Sequence, residues 1–150
     1  MAAESTSIGP VVVGIDGSEA SLVALRHGIR EGEWRGVEVH VVHVLDVTPA
    51  VLHLEGDQTI TTGEMAQGDR AEIWRSVEPI VGDAGTGVVK VELDGQPGRA
   101  ITAYAEEAGA SVLVVGPRGR GRVEKLFLGS TAQEAIENAT CDVLVVKSQA

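Results

Sequence analysis

The sequence predicts an α/β domain built on a doubly wound parallel sheet. Residues 11–15, 37–45 and 111–115 are almost wholly apolar, which is typical of strands that are buried on both faces of a parallel sheet. The segments between the predicted strands are long enough to carry helices, and right-handed crossovers place such helices on both faces of the sheet. Hydrophobic residues make up 43% of the chain and aromatic residues only 3%, so the core must be mainly aliphatic.

The length and composition favour a single domain. A chain of 150 residues suits one compact domain, which we expect to span residues 10–148 after a flexible tail of residues 1–9. The amino terminus has no basic region followed by an apolar run, and no stretch approaches the roughly 18 apolar residues of a membrane span. Cys141 is the only cysteine, so an intramolecular disulfide is excluded. We therefore expect a soluble cytoplasmic protein.

The first part of the chain predicts a strand, a helix, a second strand and a loop. Strand 11–15 runs into a turn, and the helix that follows is capped by Ser18 or Asp16 and ends at Gly36. The second strand covers residues 37–45. Residues 46–63 lack periodicity, which predicts a mobile loop.

The remaining chain predicts three further helices and three further strands. A weak helical pattern covers residues 64–78, and Pro79 should end or kink this helix because proline lacks the ladder N–H. Alternating polar and apolar residues predict a third strand at a sheet edge, with one solvated face. Gln96 leads into the next helix, which closes at Gly109. The fourth strand, the last helix and the fifth strand follow, at residues 111–115, 130–139 and 141–146.

The stretch between the fourth strand and the last helix predicts an anion site. Glycines let backbone N–H groups approach a phosphate and adopt positive φ, and four occur here: Gly116, Gly119, Gly121 and Gly129. The stretch arrives at a helix start capped by Ser130, where the macrodipole and unpaired N–H groups favour an anion. Although the net charge is -10, four cations lie within this stretch: Arg118, Arg120, Arg122 and Lys125.

The fold class indicates where this anion site lies. In doubly wound sheets, ligands bind beyond the carboxyl ends of the strands, where the strand order reverses. We therefore expect the ends of strands one and four, Asp16 and Gly116, to meet at one crevice. Asp16 could serve this ligand or simply cap its helix, and Ser130 has the same two roles open to it.

Charge and side-chain chemistry exclude several other functions. The acidic balance argues against a nucleic acid or an anionic membrane as partner. His40 and His43 point to opposite faces of one strand and cannot share a metal ion, so they belong to the packing. The possible metal ligands His53, Glu55 and Asp57 lack a fourth partner, which favours a solvated acidic bend. Cys141 is interpreted as a small core residue.

The glycine spacing resembles that of the universal stress proteins. In the ATP-binding branch of that family, Gly is followed after two residues by Gly, after nine more by Gly, and then by Ser or Thr; Gly116, Gly119, Gly129 and Ser130 match. Residues 11–18, the pair His43-Val44 and residues 141–146 also resemble the family. The resemblance implies five parallel strands in the order 3-2-1-4-5, a homodimer, and ATP binding with little or no turnover.

The same resemblance implies roles for individual residues. Asp16 and Val44 would approach the adenosine, with Gly14 beside them. The ribose and phosphates would be surrounded by Gly116, Arg118, Gly119 and Gly129, while Ser130 and Thr131 would donate hydrogen bonds to phosphate oxygens. Two positions depart from the family pattern: Pro117 removes an N–H donor where a small residue is usual, and Arg122 replaces a common glycine, which stiffens the loop or adds a phosphate contact.

Together with the anion site, the resemblance implies a regulatory ATP-binding protein of the stress response that acts on an unidentified protein partner, with no catalytic residue. Neither a Gly-x-x-x-x-Gly-Lys-Ser/Thr loop nor a Gly-x-Ser-x-Gly elbow is present. The alternatives are a weak ATPase or adenylating enzyme on the same sheet, and an AMP or flavin binder. Mg²⁺ could accompany the phosphates, ordered by Asp16 through water.

The fifth strand predicts a homodimer. Its apolar run begins with Val143 and ends with Val146, and it should lie at a sheet edge, where a bare apolar strand invites aggregation. A two-fold partner would cover that edge. The alternative is that a helix or residues 147–150 cover it.

Overall fold

A computed structural model describes residues 8–46, 51–53, 59–118 and 128–148. Its elements, in chain order, are β1 (Val11–Ile15), α1 (Glu19–Arg35), β2 (Val39–Leu45), β3 (Val51–His53), β4 (Thr59–Thr61), α2 (Thr62–Gly82), β5 (Val88–Asp94), α3 (Pro97–Glu107), β6 (Val112–Val115), α4 (Ser130–Asn138) and β7 (Asp142–Val145). Most of the predicted tail lies outside these residues, although Gly9 lies against Gly109. None of the described helices is both long and apolar enough for a membrane crossing.

Five parallel strands form the main sheet, in the order β5-β2-β1-β6-β7. Numbered among these five strands alone, this is the predicted order 3-2-1-4-5. The central strand β1 pairs with β2 on one side and β6 on the other, so that Val13 lies opposite both Val41 and Val114. The chain first builds the sheet outward from β1 through β2 to β5, then returns to add β6 and β7. The strand order therefore reverses between β1 and β6.

Each face of the sheet is covered by a pair of helices. On one face, Leu25 of α1 and Val77 of α2 pack with Val13 in one core cluster. On the other, Ile101 of α3 and Ala135 of α4 pack in a second cluster, which includes Val12. All five residues of β1 and all four of β6 are buried. The prediction of helices on both faces is confirmed, and the near-continuous apolar runs follow from burial on both faces.

The third strand of the main sheet lies at an edge, as predicted, because among the described strands β5 pairs with β2 alone. The two histidines of β2 lie on opposite faces, also as predicted. His40 contacts the hydroxyl of Tyr104 with its Nδ1 at 2.7 Å, whereas Nδ1 of His43 lies 2.8 Å from a carboxylate oxygen of Glu92. Both are packed within the domain.

The prediction of an irregular loop over residues 46–63 is wrong in part. β3 and β4 form an antiparallel pair in which Leu52 lies opposite Ile60, and α2 begins at Thr62 rather than at residue 64. Strands of three residues are too short to display a period, but the β-branched residues of β4 suit a pleated backbone. Of the metal ligands considered for this segment, Glu55 and Asp57 lie outside the described residues.

Of the two outcomes predicted for Pro79, an end of the second helix is wrong, because α2 continues through this proline to Gly82. Val77 is fully buried before the proline, and Ile80 and Val81 pack against the same core cluster after it. A proline inside a helix costs about 3 kcal/mol, and burying an aliphatic side chain contributes about 1.5–3 kcal/mol. Packing on both sides of Pro79 can therefore offset the lost backbone hydrogen bond.

Candidate functional site

A cavity of about 110 Å³ lies at the carboxyl ends of β1 and β6, where the strand order reverses. Eight of the predicted site residues are described, and all eight line this cavity: Gly14, Asp16, Val44, Gly116, Arg118, Gly129, Ser130 and Thr131. The other three, Gly119, Gly121 and Arg122, lie outside the described residues. Two stretches far apart in sequence therefore meet at one place, as the fold class requires.

The turn after β1 is closed by its own side chains. Gly17 has φ of 84°, a left-handed conformation that favours glycine, and Ser18 donates its N–H to Oδ1 of Asp16 at 2.9 Å. The Ser18 hydroxyl in turn accepts the N–H of Ser21 at 3.1 Å, which makes Ser18 the N-cap of α1. Of the two predicted caps, the structure therefore selects Ser18, and Asp16 belongs to the turn beside the cavity.

Ser21 is a lining residue that the sequence analysis missed. It is buried, with 4% of its surface exposed, and its hydroxyl donates to the carbonyl of Ser18 at 2.9 Å and accepts the N–H of Asp16 at 3.3 Å. Ser21 thus fixes the backbone position of Asp16. The sequence could have indicated that Ser21 lines the cavity, because it falls in the first turn of the helix directly after β1.

The start of α4 differs from the prediction. Gly129, with φ of -68° and ψ of 165°, is the N-cap and makes no side-chain cap hydrogen bond. Ser130 is therefore the first helical residue and not the cap, because the extended residue that precedes the helix is Gly129. The Gly129 N–H donates to the carbonyl of Pro117 at 2.6 Å, so the described residues on either side of positions 119–127 are joined. The first three residues of α4, Ser130, Thr131 and Ala132, line the cavity, and Gly129 makes no side-chain cap.

The predicted positive φ is wrong for the two glycines of this stretch that are described. Neither Gly116 nor Gly129 has positive φ. Gly116 is needed for close packing, because a Cβ there would lie 3.2 Å from the backbone carbonyl group of Ala20 in the first turn of α1. A side chain at this position would push the end of β6 away from the start of α1.

A third helix start borders the cavity, and the sequence analysis missed it. Pro97, the first residue of α3, and Ile101, one turn later, both line the cavity. The helices α3 and α4 approach closely here, since a Cβ on Gly98 would lie 2.9 Å from the Cβ of Glu134. Because all five strands are parallel, the helix after β5 also begins at this end of the sheet, and the topology could have predicted it. Three positive helix ends therefore converge on the cavity.

The inner wall of the cavity is apolar. It is lined by Ile15, Val44, Ile101, Val115 and Ala132, and a Cβ on Gly14 would lie 2.8 Å from Cδ1 of Ile101. Among the described residues, Arg118 is the one cation that lines it. The volume is below the roughly 300–1,000 Å³ of most small-molecule sites. Apolar walls beside helix amino ends suit an apolar ring that is joined to an anionic group.

Two side chains outside the cavity have shifted pKa values. Burial, aided by the charges of Glu107 and Glu38, raises the pKa of Tyr104. Burial is also the largest cause that raises the pKa of Cys141, a half-buried residue that packs against the second core cluster. This thiol therefore stays protonated at neutral pH and is a poor nucleophile.

The fold and the cavity define a doubly wound α/β protein with a ligand cleft at its topological switch point. A more specific assignment comes from comparison with known proteins. The model of the universal stress protein family matches residues 8–147, and the chain belongs to that family.

Relatives support the same assignment over nearly the whole chain. A universal stress protein of Methanocaldococcus jannaschii is 34% identical over 138 residues, covering 91% of this chain and 81% of the relative. The chain is 34% identical to a Mycobacterium tuberculosis universal stress protein over 140 residues, and it spans only 48% of that longer relative.

Solved structures of Archaeoglobus fulgidus universal stress proteins share the fold. One has a TM-score of 0.73 and 29% identity, covering 93% of this chain and 98% of the other. A second, solved in complex with dAMP, has a TM-score of 0.68 and 26% identity, with the same two coverages.

Proposed function

We propose that this universal stress protein binds ATP in the cavity and acts as a nucleotide-dependent regulatory module of the stress response, with little or no turnover. The observation that carries the proposal is the start of α4, which has no side-chain cap and faces the same cavity as Asp16 and Val44. Helix starts without a cap leave several N–H groups unsatisfied, and a phosphate group satisfies them.

The phosphates would lie at the start of α4. Ser130 and Thr131 offer hydroxyl and backbone donors there, and Arg118 offers a positive charge on the same cavity. We assign Gly116, Gly119, Gly121, Arg122 and Gly129 to the same phosphate cradle. Charge-assisted hydrogen bonds of this kind are about twice as strong as neutral ones. Mg²⁺ could join the phosphates through water held by Asp16, since Mg²⁺ prefers oxygen ligands and retains water.

The adenosine would lie deeper, against the apolar wall. Val44 at the end of β2 and Ile101 of α3 offer apolar contact, and Asp16 and Gly14 lie beside them at the end of β1. The complex of an Archaeoglobus fulgidus universal stress protein with dAMP supports an adenine nucleotide as the ligand class.

The regulatory part of the proposal rests on chemistry. The cavity supplies anion donors and one aspartate, which suffice to hold a nucleotide, whereas hydrolysis needs a positioned water and a well-held metal. Bound nucleotide would change the surface that the protein offers to a protein partner. We place this activity in the cytoplasm, where a lone cysteine remains reduced.

Calorimetric titration with ATP, ADP, AMP and cyclic AMP tests the nucleotide assignment. We expect ATP to bind most tightly and Arg118→Gln to weaken ATP binding by roughly tenfold, because a hydrogen bond to a charged group contributes about 1.5–3 kcal/mol. Arg75→Gln, an equal charge change on α2, should leave the affinity unchanged. Absence of ATP binding at millimolar concentration would contradict the proposal, and phosphate release at rates of metabolic enzymes would contradict the regulatory role.

The dAMP complex of the relative also favours a second candidate, a sensor of adenine monophosphates. In that case AMP would bind more tightly than ATP, and the loss caused by Arg118→Gln would be the same for both nucleotides. The flavin alternative is tested by the visible absorbance of the purified protein.

We also propose a homodimer that forms through β7. Among the described strands, β7 pairs with β6 alone, and Val143, Leu144 and Val145 are only half-buried in the single chain. Ile136 of the neighbouring helix α4 is 52% exposed. A second β7 would cover this edge and add apolar burial. Equilibrium sedimentation should give twice the chain mass, and a monomer at micromolar concentration would exclude this dimer.

A further inference from the structure

The surface of α1 carries a tryptophan that nothing in the described structure covers. Trp34 is 84% exposed, the largest value among the exposed large hydrophobic residues of the described chain. It borders an open depression of about 520 Å³ that is also lined by His27, Arg30, Glu31 and Glu33. Tryptophan contributes more to protein interfaces than most residues when it is buried by a partner.

The carboxylates beside this tryptophan are already engaged within the molecule. Oε2 of Glu31 accepts a hydrogen bond from Nε of Arg35 at 3.0 Å, and Oε1 of Glu33 accepts the backbone N–H of Gly85 at 2.7 Å. The charge of Glu31 is therefore partly neutralised by Arg35, and Glu33 is held toward Gly85. Among the described residues, neither carboxylate pairs with Arg26 or Arg30 of the same helix.

Two arginines of α1 are left without a carboxylate. Arg26 and Arg30 are exposed, and neither forms an ion pair with a residue of the described chain. In a protein of net charge -10, two unpaired arginines next to an exposed tryptophan form an unusual basic and aromatic surface. Arginine and tryptophan are also the residue types most enriched at the energetic centres of interfaces.

The spacing on α1 defines the shape of the partner. Arg26, Arg30 and Trp34 follow one another at intervals of four residues, so they lie along one side of the helix about 6 Å apart. An acidic helix has matching geometry when two carboxylates stand four residues apart and an apolar side chain follows one turn later. We propose that this side of α1, defined by Arg26, Arg30 and Trp34, docks an acidic amphipathic helix of a partner protein.

Charge complementarity favours this occupant over a second copy of the chain. Opposite charges steer association and fix the register of an interface. A second copy would bring its own arginines and tryptophan to the same surface if the contact were two-fold, and like charges would then face one another. The surface lies on α1, whereas the proposed nucleotide cavity is lined by other residues, so either proposal can fail without the other.

A designed peptide tests the proposal. The probe is a labelled helical peptide of roughly 20 residues, with glutamates four residues apart and leucine one turn beyond each pair; its control has lysine in place of every glutamate. Fluorescence anisotropy measures binding to the full chain. In a Trp74→Phe background Trp34 is the only tryptophan, and its emission should shift to shorter wavelength as the acidic peptide covers it.

Matched variants separate the arginines from net charge. Arg26→Glu with Arg30→Glu should weaken binding of the acidic peptide by about tenfold or more, as the loss of interfacial charge pairs predicts. Arg75→Glu with Lys147→Glu alters the net charge equally at exposed positions elsewhere and should change affinity by less than about twofold. Trp34→Ala should also weaken binding by about tenfold.

Three results would overturn the proposal. The first is no binding of the acidic peptide at millimolar concentration to the folded wild-type protein. The second is equal loss of affinity in the two double variants. The third is a blue shift of Trp34 that grows with protein concentration in the absence of peptide, because it would assign this surface to self-association.

Discussion

The starts of α1 and α4 face the same cavity but meet their hydrogen-bonding needs in different ways. Ser18 caps α1 with its own hydroxyl, and Asp16 accepts the N–H of Ser18, so the N–H groups of Ser18 and Ser21 at the start of α1 are satisfied from within. At α4 the cap is Gly129, which has no side chain to offer. Under the proposed function, α1 builds the cavity wall, whereas α4 keeps its donors for a ligand.

Giving α4 a side-chain cap should remove this difference and have the largest effect. Gly129→Asp places a carboxylate where the phosphate would lie, so we expect ATP affinity to fall by roughly a hundredfold as charge-assisted bonds of about 1.5–3 kcal/mol are replaced by repulsion. The unfolding free energy should rise by a few tenths of a kcal/mol. Calorimetry and denaturant unfolding measure the two quantities.

Gly129→Asn is the matched control for this change. Asparagine caps a helix about as well as aspartate but carries no charge, so it should raise stability equally and weaken ATP binding less. If both variants bound ATP as tightly as the wild type, α4 would not hold the phosphates.

Ser130→Ala should have the next largest effect. The Ser130 side chain caps nothing in the described structure, so its loss should change the unfolding free energy by less than about 0.5 kcal/mol. The lost donor to a phosphate oxygen should weaken ATP binding by about tenfold. A fall in stability without a fall in affinity would reverse our interpretation of this residue.

Ser18→Ala should show the opposite pattern. Removal of an N-cap side chain costs about 0.5–2 kcal/mol of stability, and urea unfolding should detect that loss. ATP affinity should change by less than about threefold, because Ser21 still binds the backbone of Asp16. An affinity loss as large as that of Ser130→Ala would mean that both helix starts serve the ligand directly.

The smallest expected effect is the pH dependence of Tyr104. Its titration also tests whether each variant is folded. Tyr104 is the only tyrosine, so tyrosinate absorbance reports this residue alone. Burial and the nearby charges of Glu107 and Glu38 raise its pKa above the ordinary 10.0. The neutral phenol is thus favoured in the folded state, and its contribution to stability is complete below pH 10.0 and lost as pH rises through the folded pKa.

An absorbance titration should therefore show the Tyr104 transition above pH 10.0 in the wild type and in all the variants of the two helix starts. A variant in which the transition returns to the ordinary value has lost the packing around α3, and its ATP affinity would then report unfolding rather than ligand contacts.

The sheet and the place of the site could be predicted from sequence because burial leaves a strong pattern. β1 and β6 are apolar along their whole length since both faces are covered, and the parallel order then brings Asp16 and Gly116 together. The glycine spacing supplied the family resemblance. These features depend on the type of residue at each position and little on the details of packing.

The remaining details depend on contacts between distant residues, which the sequence does not display. Gly116 lies close to the backbone of Ala20 and does not have a positive φ. The passage of α2 through Pro79 depends on the packing of Val77 and Ile80 against the core. From the sequence, the cap of α4 could have been Gly129 or Ser130. This difference of one residue decides whether the Ser130 hydroxyl caps the helix or is available to a ligand.

The hydrogen bond between Gly129 and Pro117 has a consequence for how this family could diversify. This bond joins the residues after β6 to the start of α4. The relative position of the strand and the helix therefore does not depend on the sequence between them. If the proposed cradle is correct, replacing residues 119–127 would alter which molecule is bound while the strands and helices on either side stay the same.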